Sequence, residues 1–433
     1  MSDPLQQHLL DALASAPPAP LCVAFSGGAD STAMLHALAQ LPLARQRGLR
    51  AVHVDHGLHA DSAAWAEHGQ RVCAALQLPC DVLPVQVDLQ QGTGIEAAAR
   101  HARHAALEAQ LRRDEWLVFG HHRDDQAETV LLKLLRGAGP EGLGGMRVLR
   151  PFGCGQLWRP LLTQSRAQLR AYIQAHRLPY IEDPSNTDTR LARNHLRHEI
   201  LPRLIRHWPQ AVDSILHSAA LSHDAADALQ TQWLPALETL HDPATGSLQV
   251  AGWLALAPAL RGPLLDHWLH ARGLTAPSSA QRRQIEHQCH ARAGQQPCIR
   301  WPGVELHIWK GCLWASAPQP GLASAWEASW LGLPLTLPDG GVLSLSKRGA
   351  RLPRPLSVRL RRGGEHIKPT GDRHTRELRD LFQQAMIPPW RRPAYPLLFD
   401  GDTLVAVADR WASDAGHALF RVADAEPRWR PRD

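Results

Sequence analysis

Two periods of apolar residues alternate through the first half of this chain. Residues 21–25 form a short continuous apolar run that suits a buried strand, and Met34, Leu35, Leu38 and Leu41 then recur at helical spacing. Further strand candidates at residues 50–54, 81–87 and 115–120 are separated by helical patterns. One of those helices opens on a capping box, Thr93-Gly94-Ile95-Glu96, and continues through Arg103. The alternation predicts an α/β fold with a doubly wound, mostly parallel sheet over residues 20–205.

Beyond Pro209 the pattern changes. An Ala/Leu-rich helical stretch runs toward Leu240, and residues 245–320 mix short helical patterns with Trp-rich strand candidates at 299–301 and 305–309. Residues 334–355 read as a hairpin and linker around the turn Asp339-Gly340-Gly341. The expected domains are therefore 1–208, a sheet domain; 209–350, a mainly helical connector and middle domain; and 351–433, a small α+β module.

The strand ends carry the chemistry. Ser26-Gly27-Gly28-Ala29-Asp30-Ser31 lies at the first strand-to-helix turn, where glycines admit a ligand close to the backbone and the helix end presents free N–H groups to an anion. The loop lacks the Gly-Lys-Ser/Thr ending of a Walker A motif and carries Asp30 instead. A carboxylate beside phosphates calls for a cation such as Mg²⁺ between the two negative charges. Residues 53–57 and 121–128 also follow strands, so one site at the carboxyl edge of the sheet can gather all three segments.

Asp125 and Glu128 stand three apart on one helical face, with Thr129 and Leu132 where in-helix basic partners would be. Such a pair either points to water or binds a cation, Mg²⁺ or an alkylammonium. His121 adjoins the same turn. Arg193 and Arg197, with Asn194 between them, share a face with no acid beside them, which reads as a fork for phosphate or a base edge or as an ordinary solvated helix surface.

Composition narrows the function classes. At 433 residues and 44% hydrophobic side chains the chain supports two or three cores. No apolar run reaches the roughly 18 residues that cross a bilayer, and no leader pattern opens the chain, so the expectation is a cytoplasmic protein with no membrane attachment. Seven scattered cysteines form no Cys-x-x-Cys pair, which argues against a disulfide framework and against chemistry that needs paired thiolates. Residues 286–290, Glu-His-Gln-Cys-His, read as a surface helix end, since no second ligand pair lies at zinc spacing. Net charge is +6, but residues 347–379 hold eleven Lys/Arg against three Asp/Glu, a local +8 that suggests a polyanion partner or a solvated charge run.

The segment 26–31 resembles the SGGxDS signature of the PP-loop ATP pyrophosphatases, whose fold is adenine nucleotide alpha hydrolase-like. Added to it are residues 53–58, Glu96 to Arg100, 121–129, Arg159-Pro160-Leu161-Leu162, 182–188 with Arg193, Asn194 and Arg197, then 361–365 and 387–391. With these the chain resembles the tRNA(Ile)-lysidine synthase family over most of its length. The resemblance implies that ATP adenylates oxygen 2 of the wobble cytidine in the isoleucine tRNA with anticodon CAU. The ε-amine of free L-lysine then displaces AMP.

Carried over by motif, Ser26, Gly27, Gly28, Ala29, Asp30 and Ser31 hold ATP and Asp30 helps bind Mg²⁺. His121, Asp125 and Glu128 receive lysine, and Arg100 and Arg197 flank the adenylated base, with Arg193 and Asn194 also on the tRNA. Arg359, Arg361, Arg362, Lys368 and Arg376 grip the acceptor arm. Oligomeric state stays open, a homodimer included. Two positions depart from the family pattern: His59 stands where arginine usually follows Gly-Leu, and Leu191 where an aromatic commonly precedes Arg-Asn. Rival readings are another PP-loop amide-forming or tRNA-modifying enzyme and a non-catalytic RNA-binding protein; the missing cysteine pair and the retained Asp30, Asp125 and Glu128 count against them.

Overall fold

A computed structural model describes residues 3–57, 59–87, 95–290, 296–318 and 326–431, with 95–97 as backbone only. The expected capping box at 93–96 lies outside the described side chains. The chain divides into two compact units, residues 1–232 and 233–433.

In the first unit six strands form one sheet in the order β3-β2-β1-β4-β6-β5. They are β1 (Leu21–Ala24), β2 (Leu49–Asp55), β3 (Cys80–Pro84), β4 (Trp116–Val118), β5 (Leu149–Phe152) and β6 (Gly155–Trp158). All pairings are parallel except β5 with β6, as the alternating pattern predicts. The helices are α1 (Pro4–Ala14), α2 (Ala29–Ala39), α3 (Pro42–Gln46), α4 (Ser62–Ala75), α5 (Ile95–Gln110), α6 (Arg123–Leu135), α7 (Pro140–Leu143), α8 (Arg166–Ala175), α9 (Ala192–His195), α10 (Leu201–His207) and α11 (Ala211–Leu240).

Every residue of β1 is buried because side chains alternate between two covered faces. Leu21 and Val23 enter a core with Leu9, Leu35, Leu38 and Leu169, while Cys22 and Ala24 pack with Leu107, Leu117 and Leu157 on the other side. The strand order reverses at β1, with β2 on one flank and β4 on the other. A crevice therefore opens beyond the carboxyl ends of β1 and β4, and the loops that follow them meet there.

The sheet also buries charge. Arg50 in β2, 4% exposed, donates Nε and Nη2 to the two carboxylate oxygens of Glu115, 1% exposed, at 2.7 and 2.6 Å, and Nη1 to Asp81 at 2.9 Å. Glu115 also accepts the Arg112 amide at 3.0 Å, so its desolvation is met by several donors.

In the second unit α12 (Val250–Ala255), α13 (Pro258–His270) and α14 (Ser279–Cys289) accompany an antiparallel sheet ordered β7-β10-β9-β8. Its strands are β7 (Leu248–Gln249), β8 (Cys298–Trp301), β9 (Val304–Trp309) and β10 (Cys312–Ser316), matching the Trp-rich candidates. The C-terminal part holds a five-stranded antiparallel sheet and a three-stranded one. The expected hairpin is present, with Leu335 opposite Leu343 and the buried Asp339 carboxylate accepting the Gly341 amide at 2.9 Å. It is no linker, because residues 342–345 pair with 427–430 and bring Leu343 and Leu345 into the C-terminal core.

Removing one partner of the Arg50–Glu115 pair leaves a buried charge alone. We expect Glu115→Ala to lower unfolding free energy by about 3–5 kcal/mol, read from urea denaturation. A loss below about 1 kcal/mol would mean that Asp81 alone satisfies Arg50.

Candidate active site

The first turn of α2 receives the glycine loop. Gly27 has φ +80°, the left-handed region, so its conformation favours glycine, and a Cβ there would stand 2.6 Å from Ile181 Cδ1 and displace that methyl group. Its carbonyl accepts the Ile181 amide at 2.8 Å, which docks residues 181–188 on the loop. Gly28 is the N-cap of α2 with no side-chain cap, leaving the first-turn amides for an external acceptor. Ser26 and Ser31 hydroxyls lie 3.0 Å apart and Ser31 Oγ donates to the Gly28 carbonyl at 3.0 Å, which orients both hydroxyls at the mouth of the turn.

A second glycine brings the β4 loop to the same place. A Cβ on Gly120 would meet the Asp30 carbonyl oxygen at 3.3 Å and Ser31 Cα at 3.4 Å, so a bare backbone lets the loop lie against α2. His122 then becomes the N-cap of α6: its Nδ1 accepts the Asp125 amide at 3.4 Å and Asp125 Oδ2 accepts the His122 amide at 3.1 Å. The His122 ring is fully buried, with Nε2 at 3.5 Å from Asp30 Oδ2 and 3.4 Å from Asp125 Oδ2, and Nδ1 at 3.6 Å from Asp124. Asp30 and Asp125, from different strand ends, are thus joined through one imidazole.

The acid pair is not free. Arg197 Nε donates to Glu128 Oε1 at 2.6 Å and its Nη2 to Asp125 Oδ1 at 3.0 Å, while Arg193 Nε donates to Glu128 Oε2 at 2.7 Å and its Nη2 to Asp125 Oδ1 at 3.1 Å. The expectation of an arginine fork without acids is therefore corrected: its acids come from α6, some seventy positions back in the chain. The cation that Asp125 and Glu128 hold in this structure is guanidinium. Asn194, grouped by sequence with the tRNA contacts, is buried and spends its amide on the carbonyls of Ser185 at 2.8 Å and Asp188 at 3.0 Å, which staples the 182–188 segment.

Charges in the cluster set each other. Burial disfavours ionised Asp30, but the His122 contact and the charges of His122, Arg166 and Arg197 outweigh it and hold its carboxyl below the ordinary value. Burial likewise opposes a charged His122, yet Asp30, Asp125 and Asp124 raise its proton affinity above normal. His121 goes the other way: burial, with Arg159, Arg193, Arg103 and Arg100 nearby, pushes it well below 6.5, so it is neutral. Its Nδ1 is buried with no hydrogen-bond partner, and so is Asp30 Oδ1. An orphaned carboxylate oxygen beside uncapped helix amides fits a divalent cation carried with phosphates.

His122 was not singled out by sequence reasoning. The available signal was an N-cap position followed three residues later by an acid, obscured because histidine is an uncommon cap. Arg100 lies on α5 with an exposed side chain, and its charge reaches His121.

The five C-terminal basic residues lie in the second unit. Arg359 pairs with Glu327 at 3.0 Å, Arg361 with Glu365 at 3.5 Å and Arg376 with Asp372 at 3.6 Å. Arg354 pairs with Asp400, and Lys347 with Asp424 at 2.8 Å. Acids from outside 347–379 thus offset part of the local +8. Lys368, Arg348, Arg351 and Arg373 are exposed and make no ion pair among the described residues, and Arg362 is exposed as well.

Comparison with known proteins accords with both regions. Family models match residues 1–204 as a PP-loop domain, 248–314 as a TilS substrate binding domain and 356–430 as a TilS substrate C-terminal domain. The tRNA(Ile)-lysidine synthase of Xanthomonas axonopodis pv. citri (strain 306) is 46% identical over 426 residues, covering 96% of each chain. Its counterpart in Pseudomonas aeruginosa is 42% identical over 421 residues, covering 94% of this chain and 93% of its own. A glycine turn with its own carboxylate, a PP-loop domain matched from residue 1 to 204, and relatives covered over more than nine-tenths of their length lead to one assignment: this chain belongs to the tRNA(Ile)-lysidine synthase family.

Proposed function

We propose that this protein joins free L-lysine to carbon 2 of the wobble cytidine in a tRNA(Ile) bearing the CAU anticodon, consuming ATP and releasing pyrophosphate and AMP. The observation that carries this reading is the Asp30–His122–Asp125 chain, which ties the phosphate loop to the carboxylate pair through one buried imidazole.

The amides at the start of α2, with Ser26 and Ser31, would take the phosphates of ATP, and Asp30, whose Oδ1 is unpartnered, would hold Mg²⁺. When bound, the ion neutralises phosphate charge and makes pyrophosphate a better leaving group. Oxygen 2 of the cytosine bonds to the α-phosphorus as the bond to pyrophosphate breaks. The ε-ammonium of lysine gives up one proton to the Asp125–Glu128 carboxylates, the free amine attacks carbon 2, and AMP leaves with the former cytosine oxygen. The nitrogen sheds a proton after it bonds, when it is strongly acidic, so even a weakly basic neutral imidazole serves as acceptor. His121, neutral and with Nδ1 unpartnered, has a free lone pair for that role.

Asp125 and Glu128 recognise ammonium by exchange. Arg193 and Arg197 are 25% and 17% exposed, on the open side of the cluster, and turning toward an incoming phosphate or adenylated base releases the carboxylates to lysine. Asn194 holds the loop beneath them. On the second unit, the exposed lysine and arginines supply backbone contacts that position the tRNA without reading sequence.

Incubation with ATP, labelled lysine and unmodified tRNA is expected to give AMP together with label on the tRNA. Asp30→Asn should lower both by about 10² to 10³-fold, and full activity in that variant would reject the metal role. Stability should follow the buried imidazole. His122, with a raised folded value, contributes stability that is fully present below 6.5 and lost as pH climbs through that raised value. The urea midpoint gap between wild type and His122→Gln is therefore expected to be widest below pH 6.5 and to narrow on alkalinisation, whereas a gap independent of pH would mean that the ring stays neutral. In the second unit, Lys368→Gln with Arg373→Gln should weaken tRNA binding across sequences and reduce the salt slope by about 1 per charge removed, measured by filter binding against salt.

A further inference from the structure

Strands β8 and β9 place three metal-ligand types on one face of the middle sheet. Their antiparallel register sets Cys298 directly opposite His307 and Arg300 opposite Glu305. Since Glu305 and His307 are two apart in the same strand, Cys298, His307 and Glu305 point the same way. His307 Nε2 lies 3.8 Å from Cys298 Sγ and 3.7 Å from Glu305 Oε2, and one ligand atom from each residue falls within 4.8 Å of the others. With metal–sulfur near ~2.3 Å and metal–nitrogen or metal–oxygen near ~2.0 Å, tetrahedral neighbours sit roughly 3.3–3.6 Å apart, so the two histidine edges are already within a few tenths of an ångström and the cysteine–carboxylate edge, within 4.8 Å, is the one that closes on binding.

The surroundings hold the three donors in place. Arg300 Nε donates to Glu305 Oε1 at 2.7 Å, which steers the carboxylate and leaves Oε2 toward the other two. The His307 ring lies flat on Trp390, centroids 4.0 Å apart and planes 5° from parallel. His307 is buried and the other two half-buried, so an ion there would be partly shielded from water. Burial keeps the imidazole neutral and the thiol protonated in the absence of a cation. None of the three belongs to the ATP or lysine chemistry proposed above.

We infer that Cys298, Glu305 and His307 form a binding site for one thiophilic divalent ion of the zinc class, with water as fourth ligand. A sulfur, nitrogen and oxygen set disfavours Mg²⁺ and Ca²⁺, which prefer oxygen alone. On binding, the Cys298 S–H bond breaks, its proton goes to solvent, and the sulfur–metal bond forms; no oxidant is involved. The ion fastens the start of β8 to β9 beneath the Trp390 stack.

The test uses the full chain, cleared of metal by a chelator and titrated with Co²⁺, whose thiolate charge-transfer absorption reports sulfur ligation. That absorption distinguishes this site from any oxygen site at Asp30. One equivalent is expected to produce the band, and Zn²⁺ to abolish it by displacement. Cys298→Ser should lose the band, and His307→Gln should weaken Co²⁺ binding roughly tenfold or more. Cys289→Ser, at the end of α14, should retain the band. Absence of the band in the wild-type chain, its survival in Cys298→Ser, or its loss in Cys289→Ser overturns the proposal.

Discussion

Three carboxylates share so small a volume only when nitrogen donors stand between them. Asp30, Asp125 and Glu128 meet that condition through His122 on one side and Arg193 with Arg197 on the other. The members of this cluster come from four places in the sequence: the β1 turn, the β4 turn, the first turns of α6, and the region of α9. Each side chain is held by a partner from another segment. The catalytic domain is organised so that these four places converge at the strand reversal beside β1.

Convergence depends on two glycines more than on any polar contact. Gly27 allows the turn and the approach of Ile181, and Gly120 lets the β4 loop rest on the backbone of Asp30 and Ser31. With the loops seated, the hydrogen bonds follow from chain direction. His122 caps α6 because the strand ends just before it, and Asp125 faces the imidazole because N3 of a helix lies over its cap. Electrostatics then sorts adjacent histidines into opposite states. Burial holds His121 neutral with arginines adding to it, whereas the acids around His122 outweigh its burial, so the same residue type is drawn toward the neutral form at one position and the charged form at the next.

Much of this was readable from the chain because it is local. The apolar run of β1, the glycine turn and the spacing of Asp125 and Glu128 each depend on a few neighbouring residues, and the structure has them as the pattern predicts. The identity of the cation on the acid pair was not readable, since Arg193 and Arg197 lie far along the sequence and helical spacing says nothing of long-range partners. The same limit applied to the basic stretch, whose compensating acids Glu327, Asp400 and Asp424 lie outside the window that defined it. It applied again to residues 334–355, where an isolated hairpin signal could not reveal that Leu343 and Leu345 complete a core with the last strand.

Between α9 and α10 the backbone widens into a π-helical segment, Leu196–Ile200, that contains Arg197. In a regular α-helix, positions four apart diverge by about 40° around the axis, whereas a wider turn brings them nearer to eclipse. Arg193 and Arg197 can therefore straddle a single carboxylate. The widened turn thus lets two guanidinium groups, one from each side of the α-to-π junction, grip the two oxygens of Glu128 at once.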